Sequence, residues 1–159
     1  MKRFPAILSL LLLLTACEGV DCTLNNVVLC RYGFYDSATG QAIQLSDTLT
    51  ITAAGTDSIL YNRGVNTSSV ALPMSYWQEA DTLRIHIQGK DYAYTCSLRI
   101  QKSNTIHFES PDCPTTMFHH IEAVTLMNNT IIDSVVVSKP TINYKQDENI
   151  KIYFRTLAD

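Results

Sequence analysis

Apolar residues recur at every second position through most of this chain, a period that dictates strands and not helices. The clearest run sets Tyr92, Tyr94, Cys96, Leu98 and Ile100 on one face, against Ala93, Thr95, Ser97, Arg99 and Gln101. Leu83, Ile85 and Ile87 alternate with Arg84, His86 and Gln88, and Leu49, Ile51 and Ala53 with Thr48, Thr50 and Thr52. Ile150, Ile152 and Phe154 alternate with Lys151, Tyr153 and Arg155, while Val28, Cys30, Tyr32 and Phe34 share a face opposite Arg31. Further strand candidates are Val27–Tyr35, Ile59–Tyr61, Ser69–Leu72, Thr105–Glu109, Phe118–Met127 and Ile131–Ser138. Gly89-Lys90-Asp91, Lys102-Ser103 and Asn128-Asn129-Thr130 supply short polar connections suited to hairpins. No window past the first residues carries a strong 3.6-residue pattern. About ten short strands predict an all-β fold: an antiparallel β-sandwich, immunoglobulin-like or a related barrel, preceded by a cleaved signal helix.

The N-terminus reads differently. Lys2 and Arg3 precede an uninterrupted apolar run from Phe4 to Leu14, and the small residues Thr15-Ala16 lead into Cys17. This is how a secretory signal ends. As a helix the run would rise roughly 16 Å, about half of the ~30 Å hydrocarbon core, so it is too short to span a bilayer. Leu14-Thr15-Ala16-Cys17 resembles the lipobox of bacterial lipoproteins, which implies that Cys17 is lipidated and becomes the first residue of the mature protein. A lipid with two or three chains would pass the threshold for stable attachment, which one acyl chain does not. The implied location is a bacterial cell envelope, lipid-anchored, at the outer membrane on its periplasmic or surface side. The chain divides into a signal peptide (1–16), a lipidated tether (17–25) and a β-sandwich domain (26–159).

Charge narrows the partners. The chain has 12 basic and 15 acidic residues; loss of residues 1–16 removes Lys2 and Arg3, leaving 10 against 15, near −5. With no basic cluster, nucleic acid and a polybasic membrane-binding face are excluded as expectations. The expected partners are the membrane, through the lipid, and a protein or glycan. Apart from Cys17, four cysteines remain: Cys22, Cys30, Cys96 and Cys113. An even count in an exported chain suggests two disulfides, and no C-x-x-C pair supports zinc. Cys30 and Cys96 each fall mid-strand on an apolar face, which predicts an inter-sheet bridge. Cys22 and Cys113 would form the second pair.

No catalytic signature is present: the chain lacks G-x-S-x-G, S-x-x-K, H-E-x-x-H and any phosphate-cradling glycine loop. Neither a cofactor nor a metal site is expected. His119 and His120 are adjacent, and on a strand their side chains point to opposite faces; His86 and His107 are expected to face solvent. Tyr76-Trp77 follows Leu72-Pro73-Met74 between strands. It could form an exposed platform for sugars, but a tryptophan closing one end of the core is the favoured reading. The triplet Asp-[Ser/Thr]-apolar occurs five times, at Asp36, Asp47, Asp57, Asp81 and Asp133, where about one is expected by chance. It resembles the O-glycosylation acceptor of exported Bacteroidetes proteins, with Ser37, Thr48, Ser58, Thr82 or Ser134 carrying the glycan. The structural alternative is backbone hydrogen bonding in turns.

Cys17-Glu18-Gly19-Val20-Asp21-Cys22, Leu72-Pro73-Met74-Ser75-Tyr76, His107-Phe108-Glu109-Ser110-Pro111-Asp112-Cys113-Pro114 and Lys151-Ile152-Tyr153-Phe154 together resemble an uncharacterised family of Bacteroidetes lipoproteins, a domain of unknown function. That resemblance implies an envelope location and transfers no functional site. The expected function is a non-enzymatic binding or structural lipoprotein. The alternatives are an accessory subunit that pairs through an edge strand, or an envelope hydrolase with loop-borne residues.

Overall fold

The computed structural model describes residues 28–111, 113–128 and 131–155. The expected signal peptide and tether, with Cys17 and Cys22, lie outside these residues. Ten strands form: β1 (Leu29–Asp36), β2 (Thr48–Ala53), β3 (Ile59–Gly64), β4 (Ser69–Pro73), β5 (Ala80–Gln88), β6 (Ala93–His107), β7 (Thr116–Asn128), β8 (Ile132–Val137), β9 (Thr141–Ile142) and β10 (Ile150–Phe154). They make two sheets, ordered β4-β1-β10-β8 and β3-β2-β5-β6-β7-β9. No helix occurs among the described residues, and none there is long and apolar enough to cross a membrane.

The alternation explains the layers. Cys30, Tyr32, Phe34, Val70, Leu72, Ile150, Ile152 and Phe154 from one sheet join Leu49, Ile51, Leu83, Ile85, Ile87, Cys96, Leu98 and Ile100 from the other in one buried cluster. Each large apolar side chain contributes about 1.5–3 kcal/mol on leaving water, so a one-residue slip of register would forfeit a whole face.

Pairing is antiparallel with one exception. β1 runs parallel to β10, Tyr32 opposite Ile150 and Asp36 opposite Phe154. Asn149 sets that register. Its side-chain oxygen accepts from the Arg31 backbone N–H (3.0 Å), and its own N–H donates to the Arg31 carbonyl (3.0 Å). Its amide nitrogen donates to the Lys139 and Thr141 carbonyls, at 2.9 and 3.2 Å. Phe34 and Phe154 then meet edge to face, centroids 5.5 Å apart.

Three expectations are corrected. Lys102-Ser103 is no turn: β6 passes through it and pairs with β7 from Ser97 to His107. β7, which ends at Asn128, and β8 belong to different sheets, so the two strands form no hairpin across Asn128-Asn129-Thr130. The Cys30–Cys96 bridge is absent, and both are buried free thiols. The two lie in different sheets, Cys30 in β1 and Cys96 in β6, and each fills the core as a small apolar side chain. Burial, opposed by a hydrogen bond with Tyr32, pushes the Cys30 thiol up to about 12. Cys113, by contrast, is disulfide-bonded. The Gly89-Lys90-Asp91 hairpin forms as expected, closed by Gly89 N–H donating to the Tyr92 carbonyl at 3.0 Å.

Candidate functional site

The segment 74–79 links β4 to β5 and carries the chain's only tryptophan. Met74 is buried and anchors its start. The Asp81 carboxylate accepts from both the backbone N–H and the hydroxyl of Ser75, which closes the loop back on itself.

Beneath the loop sits Lys102, with its side chain fully buried. Cys96, Leu98 and Ile100 establish the inward face of β6, and Lys102 is its next member. A buried ammonium survives only with partners that replace its water. Its Nζ donates to the Ser75 carbonyl (2.7 Å), the Gln78 carbonyl (2.6 Å) and Asn104 Oδ1 (2.8 Å), and it lies 3.7 Å from the Asp81 carboxylate. The Lys102 backbone N–H donates to the Glu79 carbonyl at 2.8 Å. Desolvation pulls the Lys102 pKa down and Asp81 opposes it. These bonds hold the loop rigidly against the sheet.

Asn104 extends the network. Its amide nitrogen donates to the Gln78 carbonyl (3.0 Å), and its Oδ1 accepts from His119 Nδ1–H (2.7 Å). That bond places the proton on Nδ1, which leaves Nε2 as an acceptor. His119 Nε2 is buried without a partner among the described residues. Burial first, and Lys102 second, lower the His119 pKa to about 4, against a smaller pull from Asp81. Neutral imidazole therefore occupies this position at physiological pH. His120, next along β7, is exposed, so the two histidines do point opposite ways.

Above the network an open groove of about 520 Å³ is lined by Tyr76, Trp77, Glu79, Asn104, Ile106 and Glu122, among others. Trp77 is 80 % exposed and Tyr76 43 %. The expected core-closing tryptophan is thus corrected: the loop is too tightly tied to Lys102 and Asp81 to turn its indole inward. Glu122 is the extra residue where the β6–β7 register shifts, Lys102 opposing Ile121 and Gln101 opposing Ala123. Such bulges re-aim side chains beside sites. Lys102, Asn104, Glu79 and Glu122 were missed by sequence reasoning. The usable signal was parity, since positions 102 and 104 continue the even-numbered inward face of β6.

The five Asp-[Ser/Thr] triplets have a structural use in common: every aspartate is bonded. Asp36 accepts from the Ala38 and Thr39 N–H groups, the turn arrangement expected. Elsewhere the partners are distant in sequence: Tyr92 for Asp47, Arg84 for Asp57, Arg155 for Asp133, with Ser75 and Lys102 for Asp81. Of the candidate acceptors, Ser58 and Ser134 are exposed, while Ser37, Thr48 and Thr82 are half-buried.

A family match then covers most of the described sandwich, residues 48–154. The chain belongs to the family of unknown function DUF6452. The DUF6452 match includes the whole network from Ser75 to His119 and the groove above it. Comparison with curated proteins and with solved structures finds no match.

Proposed function

We propose that this chain is a lipid-anchored, non-enzymatic binding module of a bacterial cell envelope, of Bacteroidetes type, held at the outer membrane through Cys17. Its ligand sits in the groove under Trp77. The observation that carries this reading is an indole left 80 % exposed on a loop pinned from below by a fully buried lysine. Apolar surface so presented, on a rigid segment, is characteristic of a binding face. Two potential catalytic groups beside the groove are otherwise engaged. Lys102 donates to three fixed acceptors, and the Ser75 hydroxyl donates to Asp81. Neither group is therefore free to serve as a nucleophile or base.

The lone tryptophan makes the test site-specific. Fractionated envelope extract should shift or quench the fluorescence of the mature chain, and Trp77→Ala should abolish capture of the same component. Retained capture by Trp77→Ala would remove the groove from the account. Membrane fractionation of Cys17→Ser checks the anchor: the variant is expected in the soluble fraction.

A second reading rests on β8, an edge of the four-stranded sheet with Val136 exposed. An accessory subunit could pair there. Site-specific crosslinking from Ser134 would then recover one envelope protein, and an absence of crosslinks in intact cells would dismiss it.

A further inference from the structure

We propose that the groove takes a cationic side chain, the guanidinium or ammonium group of a partner protein's arginine or lysine, stacked on Trp77 and balanced by Glu79 and Glu122. This inference rests on the reading of the groove as a binding site and names its ligand class. Three observations converge on it.

First, the platform is aromatic and open. Cations favour the negative face of an indole over any other ring, and Trp77 keeps most of its surface in water, with Tyr76 beside it.

Second, the groove carries uncompensated negative charge. Glu79 and Glu122 are exposed and make no ion pair among the described residues. The one cation in the lining, Lys102, is fully buried, committed to three oxygen acceptors and 3.7 Å from Asp81. Its charge is neutralised from within. An anionic ligand would meet two carboxylates and no available cation. A neutral saccharide could stack on Trp77 but would leave both carboxylates uncompensated. A cation answers all three groups, and the acidic chain, at −3 overall, would steer it inward.

Third, the apolar wall suits a long cationic stem. Ile106, 60 % exposed, lines the groove with Met117, and lysine and arginine lay their methylenes along such surface while the head stays polar. A volume of about 520 Å³ falls in the range of small-molecule sites, enough for one side chain and its flanking backbone.

The experiment titrates the mature chain with acetyl-Gly-Arg-Gly-Arg-Gly-amide, its citrulline counterpart, and a neutral chitin hexasaccharide, reading Trp77 fluorescence at low and physiological ionic strength. The arginine peptide should bind saturably, and the citrulline peptide, isosteric but uncharged, roughly tenfold more weakly. The double variant Glu79→Gln/Glu122→Gln should weaken the arginine peptide by about the same factor and flatten its salt dependence; both sites are exposed, so an unchanged melting curve is expected. Equal binding of the citrulline peptide, or binding of the hexasaccharide alone, overturns the cationic class and leaves the groove's binding role standing. Silence toward all three probes also overturns it. Silence extending to whole envelope extract would bring down the binding role as well.

Discussion

At His119 desolvation acts on charge within an easily reached pH range. Its pKa of about 4 in the folded chain lies below the ~6.5 of an unfolded histidine. Between those values the unfolded state binds more protons, so stability rises with pH through the window. The contribution is fully present above about pH 6.5 and is lost as the pH falls toward 4. Unfolding free energies from urea titration at pH 7 and pH 4.5 should differ by on the order of 2 kcal/mol more for the parent than for His119→Gln. Lys102 is the second such residue. Lys102→Met keeps the volume but strands the Ser75 and Gln78 carbonyls and leaves Asp81 without its counter-charge. A loss of about 3–5 kcal/mol follows from removing one partner of a buried pair. The signature that separates this from ordinary destabilisation is local: steady-state anisotropy of Trp77 should drop in the still-folded variant. Neither residue was legible beforehand. A lysine beside a serine has the composition of a turn, and only the oxygens brought from 27 and 24 positions away make its burial affordable.

At the level of elements, the period-two pattern located strands well because alternation is a local property. β1, β2, β4, β7, β8 and β10 fall within a residue or two of the runs that suggest them, and β3 and β5 each extend three residues beyond theirs. Sheet membership was harder to read. Whether a strand turns back on its neighbour or crosses to the other layer depends on partners far along the chain, as the β7–β8 connection shows. The parallel β1–β10 pair escaped for the same reason, its organiser Asn149 resembling one more polar loop residue. Asn149→Ala would leave the Arg31 N–H and the Lys139 and Thr141 carbonyls short of partners. A cost of about 2–4 kcal/mol is expected. Amide exchange should accelerate first in β1 and β10, and uniform acceleration across both sheets would argue against a local clamp.

For the whole molecule, one buried cluster fed by both sheets predicts a single cooperative transition. A chain ending at Glu148 would lose β10, the strand between β1 and β8. It should show no sigmoidal urea unfolding, whereas two independent layers would let the six-stranded sheet survive with its own transition. The location of the groove was partly visible in the sequence, through Tyr76-Trp77. Its floor was not, because that floor is assembled from three strands and a loop. The parallel pairing of β1 with β10 also orders events in time. β1, the first of the described strands to be synthesised, must wait, unpaired along one side, until Ile150–Phe154 has been made. Until then β1 can pair only with β4, on its other side, and a chaperone would find the waiting edge open.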